Sequence, residues 1–129
     1  MVQTLENAIR TAAAIALVFL FAGTSSAAGD AAAGKVKYDM FCASCHGPTG
    51  KGDGPVAAAI QPPPRDFSVG EFKFDTNGSG TAGTDEDLAN VITNGGAKYG
   101  GNPMMAPWGG ALSPTDIQNV VAYIRSLKQ

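Results

Sequence analysis

The chain has 129 residues, two cysteines and a formal net charge of −2, with 44% hydrophobic and 16% charged residues. That balance describes one globular domain and excludes a disordered segment. The mild acidity argues against a nucleic-acid binder and favours a partner with a basic docking face.

Residues 11–22 are a nearly all-apolar run, preceded by Arg10 and followed by the small residues Ser26, Ala27 and Ala28. A bilayer span takes about 20 residues, so this run is short for one. It reads as an export signal cut after Ala28 or Ala27. Residues 1–28 are therefore expected to be cleaved, leaving 29–129 as the mature domain in the periplasm or otherwise outside the cytoplasm. The competing readings are a buried core helix and an uncleaved membrane anchor. With the signal gone, no stable membrane span is expected. Its removal takes one base, Arg10, and one acid, Glu6, so the charge stays at −2.

The mature chain opens with Asp30 as an N-cap before three alanines, which predicts a helix running into the cysteines. Gly34 inside that helix costs about 1 kcal/mol against alanine, so a packing reason is expected. Together with Tyr38, at i+4, it gives one face a notch beside an aromatic ring.

Cys42-Ala-Ser-Cys45-His46 is a C-x-x-C-H run, the pattern of covalent c-type haem attachment. Two cysteines at i and i+3 stand on one face of a helical turn and can each form a thioether with a haem vinyl group. His46, at i+4 from Cys42, can reach the iron from the same side. A thioredoxin-like pair would need a strand before the motif. A zinc site would need more ligands, and these are the only cysteines and the only histidine. The expected cofactor is one covalently attached haem c. Export agrees with it, because c-type haem is attached outside the cytoplasm.

Residues 47–55 carry four glycines and read as a wrapping loop that lets backbone approach the haem closely. Residues 56–60 suggest a short helix, and the prolines at 62, 63 and 64 an extended strap. Arg65 is either solvated or a partner for a haem propionate. Phe67, Phe72 and Phe74 are candidates for pocket wall or core. Residues 77–80 read as a turn. Thr84 with three acids after it starts a helix whose stripe is Leu88, Val91 and Ile92 and which Gly95 ends. Residues 95–101 are too glycine-rich to be regular, and they deliver Met104 and Met105. Ser113, Pro114 and Asp116 open a last helix, with Ile117, Val120, Val121, Ile124 and Leu127 on one face and Tyr123 beside it.

With a single histidine, the far side of the iron is left to a methionine thioether or stays open. Met1 is the initiator and Met40 lies just ahead of the attachment turn, so Met104 and Met105 are the candidates. The alternative is that both only fill gaps in the packing.

Over nearly the whole mature chain the pattern resembles the class I c-type cytochrome family of small monohaem electron carriers. The resemblance rests on Gly34 and Tyr38, Cys42 to Gly47, Gly52-Asp-Gly-Pro55, Met105-Ala-Pro-Trp108, Leu112-Ser with Asp116-Ile117, and residues 121–127. It implies an all-α, cytochrome c-like fold, with N- and C-terminal helices crossing near Gly34, Tyr38 and Tyr123. It implies axial ligation by His46 and Met105, with Met104 as the alternative, and places Trp108 near the haem edge. A proline carbonyl would hold the histidine ring, with Pro55, Pro62, Pro63 and Pro64 as candidates. The implied function is one-electron transport in a respiratory chain between redox partner proteins, without enzymatic activity of its own. Other readings are a haem-bearing subunit of a larger oxidoreductase, and a peroxidase or gas-binding protein with a labile sixth ligand.

Overall fold

The computed structural model describes residues 28–129. Residues 1–27, which hold nearly all of the expected export signal, lie outside the described residues. Helices α1 (Ala31–Phe41) and α2 (Ala43–His46) are separated only by Cys42, and α3 (Asp85–Asn94) and α4 (Pro114–Ser126) follow after long loops. There is no strand among the described residues, so the all-α expectation stands.

Each of the three longer helices starts where a polar side chain can satisfy its free N–H groups. Asp30 accepts from the Ala32 and Ala33 amides at 2.8 and 3.2 Å. Thr84 with Asp87, and Ser113 with Asp116, form reciprocal capping boxes at α3 and α4. Gly95, at φ 83°, closes α3.

The scaffold is the crossing of α1 and α4. A Cβ on Gly34 would fall 1.9 Å from the Asn119 carbonyl oxygen, so only glycine lets the two backbones touch there. The Asp30 amide also donates to Asn119 Oδ1 at 2.8 Å, tying the start of α1 to α4. Tyr38, one turn past Gly34, is fully buried and meets the Tyr123 ring edge-on at 5.0 Å. Its hydroxyl donates to the Gly47 carbonyl at 2.7 Å, joining the crossing to the loop after the cysteine motif. Ile117, Val120, Val121 and Ile124 complete the buried face of α4. Burying each such side chain contributes about 1.5–3 kcal/mol.

Two local expectations change in detail. Residues 56–60 make only one 3-10 turn, Ala57–Ala59, too short to be an α-helix. Residues 95–101 are not wholly irregular: Ala97–Tyr99 form a second 3-10 turn, closed by Gly100 in the left-handed region.

Candidate cofactor site

The cysteine motif sits at the end of α1. Cys42 caps that helix, its amide donating to the Tyr38 carbonyl at 2.8 Å, and α2 continues as a single turn. The His46 amide bonds the Cys42 carbonyl at 2.9 Å, so the motif is helical as its spacing requires. The next loop closes over the end of that turn. Gly52, Gly54 and Val56 donate their amides to the carbonyls of His46, Cys45 and Ser44 at 2.8, 3.1 and 3.1 Å. A Cβ on Gly54 would stand 2.3 Å from the Ser44 oxygen, so this wrap needs glycine.

His46 is held from behind. Its Nδ1 lies 3.0 Å from the Arg65 carbonyl oxygen, and a carbonyl only accepts, so Nδ1 carries the proton. The Phe67 ring stacks on the imidazole, with centroids 4.4 Å apart and planes 19° apart. Burial lowers the imidazole pKa, partly offset by the Arg65 bond, so the ring is neutral with Nε2 free to ligate. The carbonyl therefore belongs to Arg65, immediately after the proline run, and not to a proline. The Arg65 side chain turns to the Glu71 carbonyl, Nε donating at 2.6 Å.

Burial pushes the Cys42 thiol up to about 12, with Cys45 adding to the shift. A side chain only 8% exposed is a poor place for a thiolate and a good one for a neutral thioether.

The methionine loop is anchored to α3. Trp108 and Gly109 donate their amides to the Ile92 and Thr93 carbonyls at 2.9 and 3.1 Å. The Gly96 amide donates to the Met105 carbonyl at 2.8 Å, and a Cβ on Gly96 would meet the Met105 Cβ at 3.1 Å. Asn102 Nδ2 reaches the Gln61 and Pro62 carbonyls at 3.0 and 3.2 Å, linking this loop to the proline strap. Met105 is half-buried against the core, whereas Met104 is 65% exposed.

Cys42, Cys45, His46, Met104, Met105 and Trp108 all line one cleft of about 570 Å3. Phe67, Phe72 and Phe74 also line it, and Phe67 is buried in the core as well. Asp87 is also among its lining residues and is 1% exposed. Its Oδ1 accepts from the Thr76 amide and hydroxyl at 2.6 and 2.7 Å, its Oδ2 from those of Thr84 at 2.8 and 2.7 Å. Burial pushes this carboxyl up, but the bonds from Thr84 and Thr76 outweigh it and hold its pKa well below the usual range. The sequence marks Asp87 only as a helix-start acid; its second partner lies eleven residues back.

A Cytochrome c family model matches residues 31–128. The chain belongs to the cytochrome c family. It is a class I c-type cytochrome, 39% identical over 105 residues to cytochrome c-554(547) of Halothiobacillus neapolitanus, a match covering 78% of this chain and 100% of that one. It is 34% identical over 110 residues to cytochrome c6 of Picosynechococcus sp. (strain ATCC 27264 / PCC 7002 / PR-6), covering 85% of this chain and 83% of that one. Among solved structures it is similar to a chain of the Kuenenia stuttgartiensis reducing HAO-like protein complex Kustc0457/Kustc0458, with TM-score 0.61 and 35% identity. That match covers 74% of this cytochrome but 41% of the other chain, so the cytochrome spans less than half its length.

Haem c is the group this family implies, and the residues present fit it. The cleft volume lies inside the range of roughly 300–1,000 Å3 usual for cofactor sites. Its donors are a neutral imidazole, two cysteine sulfurs and methionine thioethers, the set suited to a covalently held iron porphyrin.

Proposed function

We propose that this cytochrome is an exported carrier of single electrons in a respiratory chain, holding one haem through thioethers at Cys42 and Cys45. His46 and Met105 are its axial ligands, residues 1–28 its cleaved signal, and residues 29–129 its mature domain. The observation that carries this reading is the meeting of both cysteines, the oriented histidine and the half-buried methionine on one apolar cleft.

When bound, haem c supplies the one-electron Fe(III)/Fe(II) couple. The protein's part is positional. The Arg65 carbonyl and the Phe67 ring fix the tautomer and plane of His46, which raises the basicity of its free nitrogen. Met105 offers a soft thioether, which favours the less charged reduced iron and raises the potential. The aromatic walls exclude water, so little solvent reorganises as charge changes. Exposed Met104 is the poorer candidate, because a ligand must leave water and stay in one place. The acidic balance suits redox partners with a basic docking face.

Intact mass of the purified native protein, read with a pyridine haemochrome spectrum, tests the proposal. The expected result is one haem mass retained after acid–acetone extraction, on a chain beginning at Ala28 or Gly29. Haem that extracts freely would refute covalent attachment. A second reading, an electron-relay subunit within a larger oxidoreductase, is favoured by the likeness to one chain of a multiprotein complex. Size-exclusion chromatography of the native protein separates the two: a monomer is expected for a shuttle, a stable larger assembly for a subunit.

A further inference from the structure

Residues 75–86 read Asp-Thr-Asn-Gly-Ser-Gly-Thr-Ala-Gly-Thr-Asp-Glu. Calcium loops of the helix-loop-helix kind place side-chain oxygens at the first, third and fifth of twelve positions. They add a backbone carbonyl at the seventh, a carboxylate at the twelfth, and a glycine at the sixth for the sharp turn. In that register the ligand positions fall on Asp75, Asn77, Ser79, the Thr81 carbonyl and Glu86, with Gly80 at the turn. Two features depart from that pattern: serine stands at the fifth position, where Asp or Asn is usual, and no helix leads into Asp75, since residues 71–75 have no regular structure.

The fold brings these positions together. Asp75 accepts from the Ser79 and Gly80 amides at 3.0 and 2.8 Å, and Asn77 Oδ1 from the Ser79 amide at 3.1 Å. Ser79 Oγ lies 3.3 Å from the Thr81 carbonyl oxygen, and Asn77 Nδ2 lies 2.9 Å from Glu86 Oε2. Gly80 has φ 83°, and nothing stands within 4 Å of where its Cβ would be. The turn itself, and not packing, requires that glycine.

Helix capping does not account for the set. Thr84 and Asp87 already form the capping box of α3, so neither Asp75 nor Glu86 is needed there. Nor is the set an acidic patch. It holds two carboxylates among neutral oxygens, and among the described residues no three His, Cys, Asp or Glu side chains are placed to hold a metal ion together, so the neutral oxygens must supply most of the ligands. Hard oxygens of mixed charge on a turn are calcium chemistry.

We propose that residues 75–86 form a calcium site that fastens the loop following Phe74 to α3. Both elements line the cleft, through Phe74 and through Leu88, Val91 and Ile92. Thr76 already bonds Asp87 beside the site, so the ion would tighten an existing seam. With only two carboxylates in an exposed loop, the expected Kd is about 10⁻⁴–10⁻³ M, the range of extracellular modules. The proposal stands on this loop alone and does not depend on how the iron is ligated.

Calorimetric titration of the haem-loaded protein with calcium chloride tests it, with thermal melts alongside. The expected result is one saturable site. At tenfold excess over Kd, binding raises the folding equilibrium constant about elevenfold and Tm by about 7 °C. Glu86→Gln and Asp75→Asn should each weaken binding at least about tenfold, while Glu71→Gln, outside the loop, should not change it. Absence of saturable binding up to 10 mM (about the top of the useful range) would overturn the proposal. So would an equal response to magnesium at matched ionic strength, or calcium binding that survives both loop substitutions.

Discussion

Gly34→Ala tests whether the fold hangs on the contact between α1 and α4. The new Cβ would lie 1.9 Å from the Asn119 oxygen, 2.4 Å from its carbonyl carbon and 2.9 Å from the Val120 nitrogen, all backbone atoms. Ordinary contact begins near 3.4 Å, so the helices must separate by about 1.5 Å at this point. A gap of even 0.5–1 Å forfeits about a quarter to a half of a contact's dispersion energy. Tyr38, Val120 and Val121, the side chains beside the crossing, are almost fully buried and would all lose contact. Overpacking of this kind costs about 1–3 kcal/mol and occasionally more. Alanine's better helix propensity returns about 1 kcal/mol. Because the obstruction is backbone on a rigid helix, we expect a net loss of about 2 kcal/mol or more, lowering Tm by roughly 10 °C or more in a domain of this size. Urea and thermal unfolding of the haem-loaded protein, followed by circular dichroism, measure it. Gly110→Ala is the control, since nothing stands within 4 Å of its added methyl. A Gly34→Ala protein as stable as the control would refute the close-crossing account.

Tyr38→Phe removes the donor to the buried Gly47 carbonyl and should cost about 1–2 kcal/mol in equilibrium unfolding, with little change in helix content. Ser113→Ala removes the side-chain half of the α4 capping box and should cost about 1 kcal/mol, measured the same way. Asp87 predicts an acid limb. Its folded pKa is depressed, so its contribution is fully present above the unfolded value of about 4 and drains away as pH falls below it. The stability gap between wild type and Asp87→Asn should therefore be flat from pH 7 to 5, then narrow below about pH 4. A gap unchanged down to pH 2.5 (about the end of the useful range) would contradict the hydrogen-bonded carboxylate described above.

The parts of this structure legible in the sequence are those with local causes. Capping residues and apolar spacing gave the three longer helices, because both act within a turn or two. Gly34 announced a packing constraint, although only the fold shows that Asn119 supplies it. The helical geometry of the cysteine motif was legible for the same reason, since its spacing is that of one turn. What sequence could not supply lies across loops. The carbonyl that holds His46 is nineteen residues away, past three prolines whose path no periodicity encodes. Which carbonyl accepts from His46 is set by where the strap ends, at Arg65. Asp87 likewise looked like one of three interchangeable acids, and only the return of Thr76 distinguishes it. The preference for Met105 came from resemblance, and burial now gives a physical reason for it: Met105 packs inward while Met104 faces solvent.

The central claim is that His46 and Met105 close the two faces of the iron. Optical spectra of the ferric protein test it most directly, through the weak far-red band that arises from a methionine sulfur on low-spin iron. The account predicts that the band is present in the wild type, lost in Met105→Ala and retained in Met104→Ala. A band lost in Met104→Ala and retained in Met105→Ala, or a wild type that is high-spin at rest, would contradict it.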